Sequence, residues 1–246
     1  MVQHSEQLQL VLGVLGSGKE TRNLGHVKCR KGNAVNEELQ KPERFYSSLR
    51  TKLEAVTDST ELTGEDLTRR TKRFTQLMHD ISIENGYYCQ NYLKKEMPKR
   101  EEGTSEKEWM NIDHVFVGAD KPYDEFPFIV VEHENGGFGS EKEDCDVKLA
   151  SPNKTKAPIE WAFWKCLTMR AKLNVLVAYP RENDRWFARS VLERIAGGWY
   201  RTYPGQELNS LVLFGWSDHK GLVKNAGPDM YEPFVVRLGA SLRKLA

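Results

Sequence analysis

The sequence predicts an α/β fold, on three observations. Its apolar pattern changes period along the chain, with helical spacing up to about residue 93 and strand-like stretches between 111 and 134. The run 174–179, Asn-Val-Leu-Val-Ala-Tyr, is continuous enough to suit a strand buried on both faces. Helical and strand patterns interleaved in this order argue for a sheet with helices packed on it.

Taken in order, 43–56 has helical spacing, with Phe45, Leu49, Leu53 and Val56 on one side. A longer helical line runs from about Leu67 to Leu93 through Phe74, Leu77, Met78, Ile81, Tyr88 and Tyr92, with Gly86 expected to weaken or bend it. The charged stretch 98–108 reads as a loop. Residues 111–117 and 127–134 read as two strands, the second closed by Asn135-Gly136-Gly137. After a polar loop, Pro158 suits the first turn of a helix reaching about Ala171. The apolar run 174–179 follows, then a short helix capped by Asp184 to about Ile195, and a strand over 210–216. The tail beyond Pro233 suggests one more strand and a short basic helix. Residues 1–40 are Gly- and Asn-rich without a sustained period and are expected to form a poorly ordered or loosely attached extension, leaving 41–246 as a single domain.

Composition narrows the class. A formal net charge of +1 does not suit a bulk electrostatic coat for nucleic acid, although a local basic patch could still bind one. The cysteines Cys29, Cys89, Cys145 and Cys166 form no Cys-x-x-Cys pair, so they read as reduced thiols in a cytoplasmic protein and not as a zinc site. No apolar run approaches the ~20 residues of a membrane helix, and the short stretch 8–15 has no basic segment before it, so neither a span nor a signal peptide is expected.

The chemistry concentrates in carboxylates. Glu132 and Glu134 are two apart on one strand, so they share a face with the apolar Phe128 and Val130. Carboxylates continuing a buried face are costly unless a positive charge meets them, and hard oxygen ligands suit Mg²⁺ or Mn²⁺. Asp113 adds a third carboxylate in the neighbouring strand pattern. Glu84 continues the otherwise apolar line Leu77, Ile81, Tyr88, either as an inward ligand or as an edge residue paired with a lysine. His114 and His133 follow Asp113 and Glu132 by one residue and belong to the opposite face of the sheet.

The order helix Glu84, strand Asp113, then Glu132-His133-Glu134, then helix, then apolar strand resembles the PD-(D/E)xK nuclease superfamily over about residues 67–180. The resemblance implies a restriction-endonuclease-like mixed central sheet flanked by helices, and Mg²⁺-dependent hydrolysis of phosphodiester bonds. It implies that Asp113 and Glu132 hold the metal with the His133 carbonyl, and that Glu84 is an outer or second-metal ligand. Glu134 replaces the usual Lys of the motif, as base or further ligand. Lys165 on the following helix either reaches the site in place of that Lys or faces solvent. Three strands are expected before the second helix, of which two are clear in the pattern, with 108–110 the candidate for a missing or bent third. The expected substrate is DNA in preference to RNA, with Arg69, Arg70, Lys72, Arg73, Lys94 and Lys95 available for the phosphate backbone. The solvated face of a helix is the plainer account of the first four. A homodimer is compatible with this reading. The rival is a catalytically inactive module of the same fold that binds nucleic acid or a protein partner, and a third reading is an interaction domain with no nucleic-acid role.

Other signals are weaker. Residues 13–20, Gly-Val-Leu-Gly-Ser-Gly-Lys-Glu, approach a phosphate-binding loop, but Glu20 stands where Ser or Thr would hold Mg²⁺. Asp144, Asp146 and Lys148 repeat an Asp-x-Lys spacing with no strand before it. Trp199-Tyr200-Arg201-Thr202-Tyr203 suits packing at a helix end, or stacking on bases.

Overall fold

The computed structural model describes residues 34–56, 60–63, 67–91, 112–118, 126–135, 158–218 and 222–245. The loop at 13–20, the segment 108–110, the Asp144–Lys148 triplet, Lys94 and Lys95 lie outside them. All described residues belong to one unit, Gly32–Ala246.

Five helices occur among them: α1 (Pro42–Glu54), α2 (Thr60–Thr63), α3 (Leu67–Glu84), α4 (Pro158–Thr168) and α5 (Arg185–Thr202). Seven strands form one mixed sheet in chain order: β1 (Tyr87–Asn91), β2 (His114–Gly118), β3 (Ile129–Glu134), β4 (Leu173–Ala178), β5 (Ser210–Phe214), β6 (Glu232–Val236) and β7 (Leu242–Lys244). The central trio β3, β4 and β5 is parallel, and antiparallel strands extend it on both sides. The parallel trio needs crossover connections, which α4 and α5 provide.

Two cores separate cleanly by the parity of strand residues. On one face, Phe116, Ile129, Val131, Val175, Val177, Leu211 and Leu213 pack with Phe45, Leu49 and Leu53 of α1 and Phe74, Leu77, Met78 and Ile81 of α3. On the other, Leu176, Ala178, Val212, Phe214, Phe234 and Val236 pack with Ile159 and Phe163 of α4 and Ala188, Leu192 and Ala196 of α5. The sheet is thus the middle of three layers. This explains why every residue of β4 is buried and why its sequence does not alternate.

The structure corrects several expectations. The helix from Leu67 stops at Glu84, and 87–91 is strand β1. Gly86 has φ 75°, a left-handed conformation that ends the helix instead of bending it. Tyr87 and Tyr88 then alternate, buried and exposed, as a strand requires. The strand β1 is the third before α4. Helix α5 runs to Thr202, because Ile195, Ala196, Trp199 and Tyr200 continue its apolar face against the core. Among the described residues the tail forms β6 and β7 and no basic helix. The domain also begins before 41: Leu39 is buried, and Tyr87 Oη donates to the Asn36 carbonyl at 2.8 Å. Among the described residues, no helix is long and apolar enough to cross a membrane.

Candidate functional site

The carboxylates gather where β2 and β3 separate. Pairing runs Phe116 with Ile129, Val115 with Val130 and His114 with Val131. One step further in that register Asp113 stands across from Glu132, and opposed residues of an antiparallel pair share a face. The backbone ladder stops there. Asp113 lies just outside β2 and not within it, and its Oδ2 accepts the His133 amide N–H at 2.8 Å. A carboxylate thereby satisfies a β3 amide that the departing strand would leave open.

Glu132 is almost fully buried, on the face covered by α4. From α4, Lys165 Nζ donates to Glu132 Oε2 at 2.8 Å, and the lysine side chain is only 18 % exposed. The structure thus brings Lys165 to the carboxylate; it is not a solvent-facing lysine. The other oxygen, Glu132 Oε1, is buried without a hydrogen-bond partner among the described residues. Burial first, and then repulsion from Asp113, push the Glu132 carboxyl up to about 8, with Lys165 pulling the other way. Burial also raises the Asp113 carboxyl, against the lowering effect of the His133 amide and Lys165. The site is therefore short of positive charge. Glu134, half-buried, follows on the same face as Glu132 at the C-terminal end of β3. In a sheet with parallel strands, that end is the usual place for a ligand.

Oxygen donors of this kind suit a hard divalent cation, and the unpartnered Oε1 of Glu132 is an available ligand. Among the described residues, no three His, Cys, Asp or Glu side chains are grouped closely enough to hold a metal ion. Asp113 and Glu132 are near enough for the charge of one to act on the other, which makes two carboxylates at this point and not three.

Glu84 does not belong to this group. It ends α3, which covers the opposite face of the sheet, and it pairs with Lys52 of α1. It also precedes Tyr87, whose partner Gly118 is at the far end of β2 from Asp113. Its place on an apolar helical line therefore reflects the edge of the α1–α3 packing, not an inner ligand.

The basic cluster divides. Arg69 and Lys72 are exposed, Arg73 is half-buried and Arg70 is fully buried, so the four do not make one surface ridge. The Arg70 guanidinium lies over the Tyr179 ring at 4.5 Å. Asn135, directly after Glu134, donates to Thr71 Oγ1 at 3.0 Å, which sets the basic start of α3 beside the carboxylate end of β3.

Beneath the site, a polar network fixes β3 from behind. As expected, His114 and His133 are buried on the face opposite Glu132. His133 stacks on Phe74 at 4.2 Å, and its Nε2 is 2.8 Å from Tyr179 Oη, which is in turn 2.7 Å from Tyr231 Oη. Gly215 makes room for it: a Cβ there would fall 2.7 Å from Cδ1 of the Tyr179 ring. Sequence reading missed this Arg70–Tyr179–Tyr231 network. A single weak signal was present, the placement of His133 on the inner face. The Trp199–Tyr203 cluster packs at the end of α5 through ring contacts of Trp199 with Tyr200 and Tyr203, both at 5.3 Å.

No protein-family model, no curated protein and no solved structure matches this chain.

Proposed function

We propose that the chain is a metal-dependent nuclease acting on DNA, built on a restriction-endonuclease-like core. The observation that carries the reading is the convergence of Asp113, Glu132 and Lys165 where β2 and β3 separate. The order α3, three antiparallel strands, α4 and a parallel strand supports it, since β1 supplies the strand that the resemblance to the PD-(D/E)xK superfamily requires. Lys165 supports it further, by bringing a cation from α4 where Glu134 replaces the motif lysine.

In this reading Asp113 and Glu132 hold a Mg²⁺ or Mn²⁺ ion. When bound, the ion supplies Lewis-acid polarisation of the scissile phosphate and a lowered pKa for a water. The protein side chains do the rest. The His133 amide orients Asp113, and Lys165 orients Glu132. The Lys165 ammonium offsets negative charge developing on the phosphate. Glu134, at the more open end of the strand, takes the proton of the attacking water. Arg69 and Lys72, exposed on the first half of α3, meet backbone phosphates.

The ion pair of Lys165 with Glu132 also favours one rival, a binding module of the same fold in which the lysine permanently fills the cation position. Incubation with plasmid and single-stranded DNA in Mg²⁺ or Mn²⁺ separates the two. The nuclease cuts, and Asp113→Asn reduces cutting to background. DNA left intact by the parent protein under both metals sinks the nuclease reading for DNA.

A further inference from the structure

A second site lies on the same face of the sheet, at its other side. A cleft of about 560 Å³ opens between the first turns of α5 and strands β6 and β7. Arg185, Trp186 and Arg189 line it from α5, and Glu232 and Lys244 line it from the sheet, with Trp216 beneath. Positions three and four apart on a helix share a face, so Arg185, Trp186 and Arg189 present together. Trp186 is 76 % exposed, a large apolar side chain held at the rim without cover.

The charges in the cleft are not equally engaged. Glu232 is surrounded, accepting from Trp216 Nε1, Arg185 Nη1 at 3.0 Å and Lys244 Nζ at 2.9 Å. Glu193 is used by the Leu242 amide at 2.8 Å. Arg189 donates to the Leu242 carbonyl at 2.8 Å and lies over the Phe234 ring, with no carboxylate partner among the described residues. With it the cleft holds three cations, Arg185, Arg189 and Lys244, against two carboxylates, Glu193 and Glu232, an excess that favours an anion. An exposed indole beside a guanidinium that has no carboxylate within salt-bridge distance among the described residues is a combination that stacks a base and holds its phosphate.

The sheet register relates this cleft to the carboxylates. Glu132, Leu176, Val212 and Phe234 are successive partners across β3 to β6, and Glu134, Ala178, Phe214 and Glu232 form the next row. The two sites therefore share a face and a level, and strands spaced about 4.8 Å apart put β6 roughly 14 Å from β3.

We propose that this cleft binds single-stranded DNA, stacking an unpaired base on Trp186 and placing a phosphate on Arg189, along the strand that reaches the carboxylate site. The path of the strand rests on the nuclease reading; the binding itself does not. A single strand is required because a base within a duplex has no free face for the indole.

The test is binding of a fluorescein-labelled oligothymidine to the full chain in EDTA, where metal-dependent cutting is suppressed. Trp186→Ala and Arg189→Ala are expected to weaken binding by about tenfold each, with Arg189→Ala also lowering the salt slope by about one phosphate contact. Trp186 is 76 % exposed and its loss leaves the melt unchanged, whereas Arg189→Ala also gives up the bond to Leu242, so a cooperative melt above the assay temperature establishes that this variant folds. Unchanged affinity in both variants, or no binding by the parent, overturns the proposal. So does displacement by poly-glutamate as effective as by unlabelled oligothymidine, which identifies a cleft for acidic peptides. Asp113→Asn is expected to bind as the parent does, so loss of cutting without loss of binding separates failure of one site from failure of the other.

Discussion

Asp113 holds a structural role through one oxygen and a chemical role through its charge, and single substitutions can divide them. Its Oδ2 accepts the His133 amide, while its charge acts on Glu132. An asparagine keeps an acceptor oxygen for that amide but removes the charge. An alanine removes both and leaves an amide of a buried residue without its partner, at a cost of about 1–3 kcal/mol. Urea melts are therefore expected to show Asp113→Asn close to the parent and Asp113→Ala destabilised by that amount, although both lose activity in the proposed nuclease. Equal stability of the two variants would mean that water replaces the carboxylate on His133 without loss. The pair Asp113 and Glu132 was legible in the sequence because strand alternation forces Glu132 onto a face begun by Val130, and because an Asp stands out in apolar surroundings. Arg70 was not legible as a core residue, since nothing in a run of four basic residues marks the one whose guanidinium lies over a buried tyrosine ring.

At the level of elements, β1 shows where pattern reading runs out. Tyr88 and Tyr92 fall on the line of Leu77 and Ile81 at helical spacing, so periodicity alone carries α3 across Gly86. The helix ends because Asn85 and Gly86 turn back, their amides donating to the Ser82 and Ile83 carbonyls. The strand then forms because β2 offers it an unpaired edge, a long-range fact absent from the local sequence. Strand β7 was missed for the same reason, its three residues being held by pairing with β6. Helices α1 and α4 were legible because each has a single dominant period and a proline at its start, and strand β4 because its apolar run is unbroken. Gly86 follows as the pivot between α3 and β1. At φ 75° an L-residue meets its own backbone, so Gly86→Ala is expected to cost about 1–2 kcal/mol. A shift in the urea midpoint with an unchanged slope checks this. No loss would show that the turn relaxes to a negative φ.

For the whole molecule, the three-layer arrangement buries titratable groups of opposite tendency, and together they shape its stability against pH. Burial raises Glu132 from 4.5 to about 8, so the folded state holds a proton that the unfolded chain has released between those values. Its contribution is complete below 4.5 and is lost as pH rises through about 8. Asp113, also raised, acts in the same direction. Burial lowers His114 from 6.5 to about 3, so the unfolded chain holds the extra proton between those values. That contribution is complete above 6.5 and is lost as pH falls toward 3, with His133 adding to it. Between about 4.5 and 6.5 the slopes of Glu132 and His114 oppose and largely cancel. Stability measured in EDTA is therefore expected to be flat there, to decline toward pH 8 and to decline again toward pH 3. Glu132→Gln keeps the shape of the side chain and removes its titration. It should flatten the alkaline decline while leaving the acid one in place. If the alkaline decline persists unchanged in that variant, Glu132 is already ionised at neutral pH, and Lys165 alone supplies the charge that the site otherwise needs from a cation.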